Sequence, residues 1–233
     1  MNFPIVLKTS AAEEPRASLY YAVAENGIFQ VRDTPIYLAV TRTLDLIPGL
    51  LPEHEHLRLK CPRLPRRPLE DVLTFFRAVY DQYHAEAVVL LFYRVETREF
   101  RIIAPPQTLL GRRRHDGRWR AYHAVQYDNV PRPSGFVRFG TIHSHANLPA
   151  YSSGTDCADE QFEDGLHVVF GNFGLPPISV AAAFVANGVR FRLPPADVLE
   201  PCQMLPRPPR ADWMARIKLE AEGLGDSQRE NSR

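Results

Sequence analysis

With 45% hydrophobic and 24% charged residues, this chain of 233 residues has ordinary globular composition, which excludes a wholly disordered polymer. Its 28 Lys+Arg and 27 Asp+Glu give a formal net charge of +1, so no overall field holds it on nucleic acid or an anionic membrane, and any such contact has to be local. Three cysteines, Cys61, Cys157 and Cys202, with no CxxC pair among them, argue against a disulfide framework and a Cys-based zinc site and for a reducing compartment. The opening MNFPIVLKTS has too short an apolar run for a signal peptide, and no stretch approaches the ~20 apolar residues of a membrane span. The expectation is a soluble cytoplasmic protein. Only Lys8, Lys60 and Lys218 are lysines, so 25 of the 28 basic residues are Arg, a bias of codon usage first and chemistry second.

Residues 1–64 are β-rich. SLYYAVA and GIFQVRD flank Glu25-Asn26-Gly27, where Asn-Gly is a hairpin signal because both residues tolerate positive φ, and PIYLAVTR is a third strand. About 64 residues bury a marginal core alone, so this module should pack on the next part of the chain. Pro62, Pro65 and Pro68 form a linker, since proline fixes φ and supplies no N–H. Residues 68–84 read as a helix: Leu69, Val72, Leu73, Phe76, Val79, Tyr80 and Tyr83 follow the i, i+3, i+4, i+7 rule, and Pro68 suits a first helical position. The apolar run AEAVVLLFYR then reads as a buried strand, with FRIIAP as its hairpin partner. RWRAYHAVQY, GFVRFGTIHSH, LHVVFGNF, ISVAAAFVA and VRFRL are further strands, the last two joined by Asn187-Gly188; a short helix fits TDCADEQFED. A second proline cluster spans Pro194 to Pro209, and ADWMARIKLEAEG beyond it reads as helical, before a frayed GDSQRENSR end. The expected division is 1–64, 65–195 and 196–233.

The chemistry concentrates in TIHSHANLPAYSSGTD, residues 141–156. His143 and His145 are i and i+2, which face the same way on a strand. Ser153 and Asp156 come next, and Asp156 opens the expected short helix, where the chain can bring its carboxylate back over the histidine pair. Two imidazoles and one carboxylate leave a tetrahedral zinc with an open position, the composition of a catalytic rather than a structural site. Zinc would bring the pKa of a bound water towards ~7. None of three ligands can also act as general base, so that role needs a carboxylate on a neighbouring element. Glu86, at the entry to AVVLLFY, is the candidate.

The pattern His143-Ser144-His145, seven residues, Ser153, two residues, Asp156 resembles the JAMM signature of the JAB/MPN metallopeptidases, and Glu86, placed just before a strand, resembles the family's upstream Glu. More closely, the N-terminal β region, the proline linker and EAVVLLFYRVETREFRIIAPPQ are similar to the bacterial subgroup of PRTRC system protein A. The JAB part covers about residues 66–195. One departure is that the family's E-x-x-G-x-L reads Glu86-Ala87-Val88-Val89-Leu90-Leu91 here. The resemblance implies an α+β domain with a curved, mostly antiparallel sheet flanked by helices, after an N-terminal β-rich module. It implies zinc on His143, His145 and Asp156, Glu86 as the proton carrier, and Ser153 as a donor to the oxyanion. The activity implied is that of a deubiquitinase-like isopeptidase or peptidase acting on a ubiquitin-like protein, with activating-enzyme-like and conjugating-enzyme-like proteins as partners and no membrane. How the N-terminal module contributes is open; recognition of the modifier or of a partner is a guess from position.

Rival readings stand beside these. The two histidines could be satisfied surface residues, although that leaves the Ser and Asp spacing unexplained. Ser153 could be a helix N-cap and still face an oxyanion. Glu86 could be a solvated strand-end carboxylate; Glu96 and Glu99 are rival bases beside a hairpin turn. His54-Glu55-His56 lacks a following Ser-x-x-Asp and reads as an exposed strand or loop. Cys157 adjoins Asp156 but faces away from it on a helix. The arginine-rich GRRRHDGRWR at 111–120 reads as a solvated loop with a turn at Asp116-Gly117, or as a substrate-binding loop; with Trp119 and Tyr122 as its stacking residues, nucleic-acid binding has thin support. Three further functions stay open: a non-catalytic scaffold of the same fold, a nucleic-acid-processing JAB relative (disfavoured because HSHANL stands where such proteins carry H-N-H-P-S-G), and a peptidase for small amino-acid conjugates.

Overall fold

A computed structural model describes residues 4–44, 51–113, 117 and 119–221. Alternating burial writes the first sheet: β1 (Ile5–Leu7), β2 (Leu19–Ala24), β3 (Gly27–Asp33), β4 (Tyr37–Leu44) and β5 (His56–Leu59) pair in sequence order, β1 parallel to β2 and the rest antiparallel. The β2–β3 turn lies one residue earlier than Asn26-Gly27: Ala24 pairs with Gly27 around Glu25-Asn26, and Gly27 alone takes positive φ, 141°. Between β12 and β13, in contrast, Asn187 and Gly188 form the turn itself, with φ of 54° and 77°.

The one long helix among the described residues, α1 (Arg66–Tyr83), starts two residues before the expected boundary, because the Glu200 carboxylate accepts the Arg66 N–H at 2.8 Å and satisfies a first-turn donor. Pro68 is its third residue rather than its first, still within the turn that needs no intrahelical N–H. The helix ends at His84 in the left-handed region, φ 52°.

The central sheet holds β6 (Val88–Arg94), β7 (Glu99–Ile103), β10 (Val137–Ser144), β11 (Gly165–Gly171), β12 (Ser179–Ala186) and β13 (Val189–Leu193), in the order β13-β12-β11-β10-β6-β7. Every pairing is antiparallel except β10–β11. One face, with Val89, Leu91, Ile142, Val168 and Phe184, packs on α1 through Leu69, Val72, Phe75, Phe76 and Val79. The other face carries Val88, Leu90 and Phe92, met by Val125 of β9 (Trp119–Tyr127). That strand belongs to a third sheet, β14-β8-β9, with β8 (Gln107–Arg113) and β14 (Ile217–Ala221). The architecture is therefore α+β with mixed, mostly antiparallel sheets. Among the described residues, the expected flanking by helices reduces to one long helix, the seven-residue α2 (Gly154–Glu160), and two single turns, α3 (Pro195–Val198) and α4 (Ala211–Met214).

The C-terminal helical tail is corrected. Among the described residues of ADWMARIKLEAEG, which end at Ala221, helix spans Ala211–Met214 and the chain then pairs as β14, parallel to β8, with Ile217 opposite Gln107. Local propensity favours helix there, but the open edge of β8 supplies backbone partners that an isolated helix end lacks. The N-terminal sheet keeps a small core of its own, with Phe29, Val31 and Val40. It also lends Tyr37 and Ala39 to the main core, where the Tyr37 ring lies 4.8 Å from that of Phe184.

Candidate metal centre

The site begins with a bulge. Arg138 and Gly140 of β10 face consecutive residues of β6, so Phe139 is extra and turns into the main core. Beyond it, Thr141 and His143 lie opposite Leu90 and Val88, on the face turned away from α1. Gly140 is indispensable to this crossing: its φ is 139°, and a Cβ there would lie 1.9 Å from the Leu166 carbonyl oxygen.

His143 is thereby carried on the strand, while His145 stands just past its end. The backbone is held on both sides: Ser144 N–H donates to the Ala87 carbonyl at 2.9 Å, the Ser144 hydroxyl accepts from Ala87 N–H at 2.9 Å, and His145 N–H donates to the Phe170 carbonyl at 2.8 Å. The chain then turns through Ala146, φ 46°, and crosses β11 so closely that a Cβ on Gly171 would lie 2.2 Å from the Leu148 carbonyl oxygen. It re-enters as α2, with Ser153 as N-cap. The Ser153 hydroxyl accepts from Asp156 N–H at 3.1 Å, and Ser153 N–H donates to Asp156 Oδ2 at 2.7 Å, a reciprocal capping box.

Three side chains converge. His143 Nε2 and His145 Nε2 are 3.2 Å apart; Asp156 Oδ1 lies 3.5 Å from the first and Asp156 Oδ2 3.4 Å from the second. Among the described residues this is the one group of three His, Cys, Asp or Glu side chains placed to hold a metal ion. The donors suit a divalent metal ion: the histidine nitrogens are 3.2 Å apart, each is within 3.5 Å of one Asp156 oxygen, and one ligand atom from each residue lies within 4.8 Å of the others. Both histidines are buried, at 8% and 5% exposure. His145 Nδ1 is buried with no hydrogen bond of ordinary geometry, and the Tyr151 ring stands edge-on 4.9 Å from the imidazole.

Electrostatics are set by this packing. Burial pushes the Asp156 carboxyl up, but hydrogen bonds from His143 and His145 outweigh it and hold the group well below the usual carboxylate range. Burial lowers His145, while its hydrogen bond to Asp156 and the charge of Glu86 raise it to a net upward shift. Burial pushes Glu86 up to about 7; His145 lowers it and Asp156 raises it.

Glu86, Ser153 and the three candidate ligands all line one cavity of about 580 Å³, walled by Val88, Val125, Tyr127, Leu148 and Tyr151. The five candidate residues are thus brought together. Glu96, in the β6–β7 turn, and Glu99, 4.0 Å from Arg94, are not among the lining residues. His56 Nδ1 lies 3.1 Å from the His54 carbonyl, on the exposed β5 edge. In the arginine-rich segment, Arg112 falls in β8 and Trp119 opens β9, whereas residues 114–116 and 118, with the proposed Asp116 turn, lie outside the described residues. Sequence reasoning missed the aromatic wall of Tyr127 and Tyr151, which no local pattern marks. It also missed the buried Thr141, His167 and Glu160 behind the centre, which chain spacing does not link.

No protein-family model and no curated protein matches the chain. Among solved structures, a protein from Desulfitobacterium hafniense, determined in solution, aligns with 68% of this chain and 92% of its own at 15% identity and a TM-score of 0.32, a likeness that carries no argument. No helix of the described residues is long and apolar enough to cross a membrane.

Proposed function

We propose that the protein is a zinc-dependent peptidase or isopeptidase of the JAB/MPN kind, acting on the C-terminal tail of a ubiquitin-like protein. The observation that carries this reading is the convergence of His143, His145 and Asp156 beside a carboxyl held near neutrality in the same cavity. The JAMM-like spacing of the sequence supports the choice of reaction and of substrate class.

His143, His145 and Asp156 would hold the ion, which when bound supplies a Lewis acid to polarise a carbonyl and acidify water. The Glu86 carboxylate takes a proton from the attacking water and hands it to the leaving amine; a carboxyl near pH 7 is matched to both transfers. Ser153 Oγ accepts from Asp156 N–H, so its own hydrogen stays free to be donated to the oxyanion. Tyr151 and Leu148 wall the approach to the histidines, with the Tyr151 ring edge-on to that of His145.

The test is cleavage of a fusion carrying a reporter after the terminal Gly-Gly of a ubiquitin-like protein, using the full chain with zinc. Cleavage should fall by roughly 10²–10⁴-fold in Glu86→Gln and vanish with a chelator. Metal analysis should find roughly one zinc per chain, lost in His143→Ala and Asp156→Ala. Cleavage that persists in Glu86→Gln and under chelation rejects the mechanism; a chain with no zinc rejects the site.

A further inference from the structure

The helix that supplies Asp156 has no apolar anchor. Of the seven residues of α2, only Glu160 is buried, and it lies at i+4 from Asp156, on the same face. A seven-residue helix does not hold itself in water. Its place on the sheet comes from Asp156 against the two histidines and from the Glu160 carboxylate.

Glu160 is tied to two elements. Its Oε1 lies 3.3 Å from His167 Nδ1 on β11, and its Oε2 accepts from Arg190 Nη2 on β13. His167 Nδ1 is also 2.9 Å from Thr141 Oγ1, two residues before His143 on the same strand face, and its Nε2 lies 3.1 Å from the Glu163 carbonyl. Arg190 does more than pair with Glu160. Its Nη1 donates to Ser152 Oγ at 3.2 Å, so one guanidinium grips the residue before the N-cap and the last residue of α2. Only a planar fork with two separated donors can do both.

We infer that Glu160 and Arg190 are positioning residues of the metal centre, a half-buried clamp that sets α2 against β10 and so fixes the Asp156 carboxylate and the Ser153 hydroxyl. This rests on the reading of the centre as a zinc site. It goes beyond that reading by assigning a role to residues outside the set of three candidate ligands, one of which, Glu160, lines the same cavity. Partners of this kind behind metal ligands typically change metal affinity by roughly 10–100-fold.

The experiment uses the full chain and reads metal rather than turnover. Zinc affinity is measured against a chromophoric chelator, and the visible spectrum of the cobalt(II) form reports ligand geometry. Arg190→Met, which keeps the apolar stem, and Glu160→Gln should each weaken zinc binding roughly 10–100-fold and alter the cobalt spectrum. The double variant should be no worse than the poorer single one, because the two act as one unit. Arg190→Lys, able to keep one contact, should fall between. Arg207→Met, which breaks an ion pair with Asp71 elsewhere, should leave affinity and spectrum unchanged. If the clamp variants do not fold, Ser152→Ala, which deletes only the acceptor of Arg190 Nη1, should still weaken binding several-fold. Folded variants with the parent's affinity and spectrum overturn the clamp; a parent chain that binds no metal overturns the reading beneath it.

Discussion

Glu86 stands where the chain leaves α1 for β6, and its environment has a consequence independent of catalysis. Burial raises its carboxyl from 4.5 to about 7. A carboxyl that holds its proton more tightly when folded leaves stability intact below about 4.5, erodes it between about 4.5 and about 7, and imposes the full penalty above 7, at most about 3 kcal/mol here. In the zinc-free protein, Glu86→Gln should therefore stabilise at pH 8 by up to that amount and change little at pH 4.5. Urea melts at the two pH values check this; an equal shift at both would mean the carboxyl is not desolvated. The neighbouring Asp156 has the opposite sign. Its depressed carboxyl contributes stability that is present at neutral pH and lost as acid protonates it. The two acids of one cavity thus pull the metal-free protein's pH profile in opposite directions.

At the scale of elements, α2 separates two roles of Ser153. As N-cap it stabilises the helix, and as hydroxyl it faces the cavity. Ser153→Ala should cost about 1 kcal/mol of stability and roughly 10²–10³ in turnover, whereas Ser153→Gly should cost only a few tenths of a kcal/mol with the same loss of turnover. Equal turnover in Gly and parent would leave Ser153 a cap alone. The β10 bulge is as strict: Gly140→Ala puts a methyl against the Leu166 carbonyl at a positive φ, and thermal melts should show a loss above about 4 kcal/mol or no folded protein. These elements were legible unequally. α1 announced itself because its buried side chains recur at helical period, and β6 because its residues are almost all apolar. The candidate ligand group was legible because it lies within fourteen residues joined by one strand, one turn and one cap. β8 was hidden by its arginines, and β14 by Ala, Glu, Lys and Leu, which favour helix until a sheet edge offers partners. The Glu160–His167–Arg190 clamp was illegible for a different reason. It depends on β11 lying parallel beside β10 and on β13 reaching α2, a strand order that no local pattern contains.

Across the described residues, the N-terminal sheet and the segment that follows β13 both pack on the middle of the chain. The N-terminal sheet docks through Asp164, which accepts from Arg32, from the Tyr37 hydroxyl at 2.9 Å and from Asn187 N–H at 2.9 Å. The C-terminal segment closes the start of α1: Leu64 N–H donates to the Val198 carbonyl at 2.8 Å, Glu200 N–H to the Leu64 carbonyl at 2.9 Å, and Glu200 takes the Arg66 N–H. Trp213, only 3% exposed, then packs edge-on against Phe75 of α1 with ring centroids 5.5 Å apart, before β14 joins β8. Trp213 thus reinforces the α1 face of the central sheet, opposite the face that carries His143, while β14 joins the sheet whose β9 meets that other face. Trp213→Ala should thus remove a large buried ring and cost about 3–5 kcal/mol in denaturant melts. Zinc affinity, measured where the variant is still folded, should stay at the parent value, because the ligands and the clamp stand on the opposite face. A variant that loses metal binding in step with its packing would mean that the two faces of the sheet are coupled, and that the centre depends on the core behind it rather than on its own loop and cap.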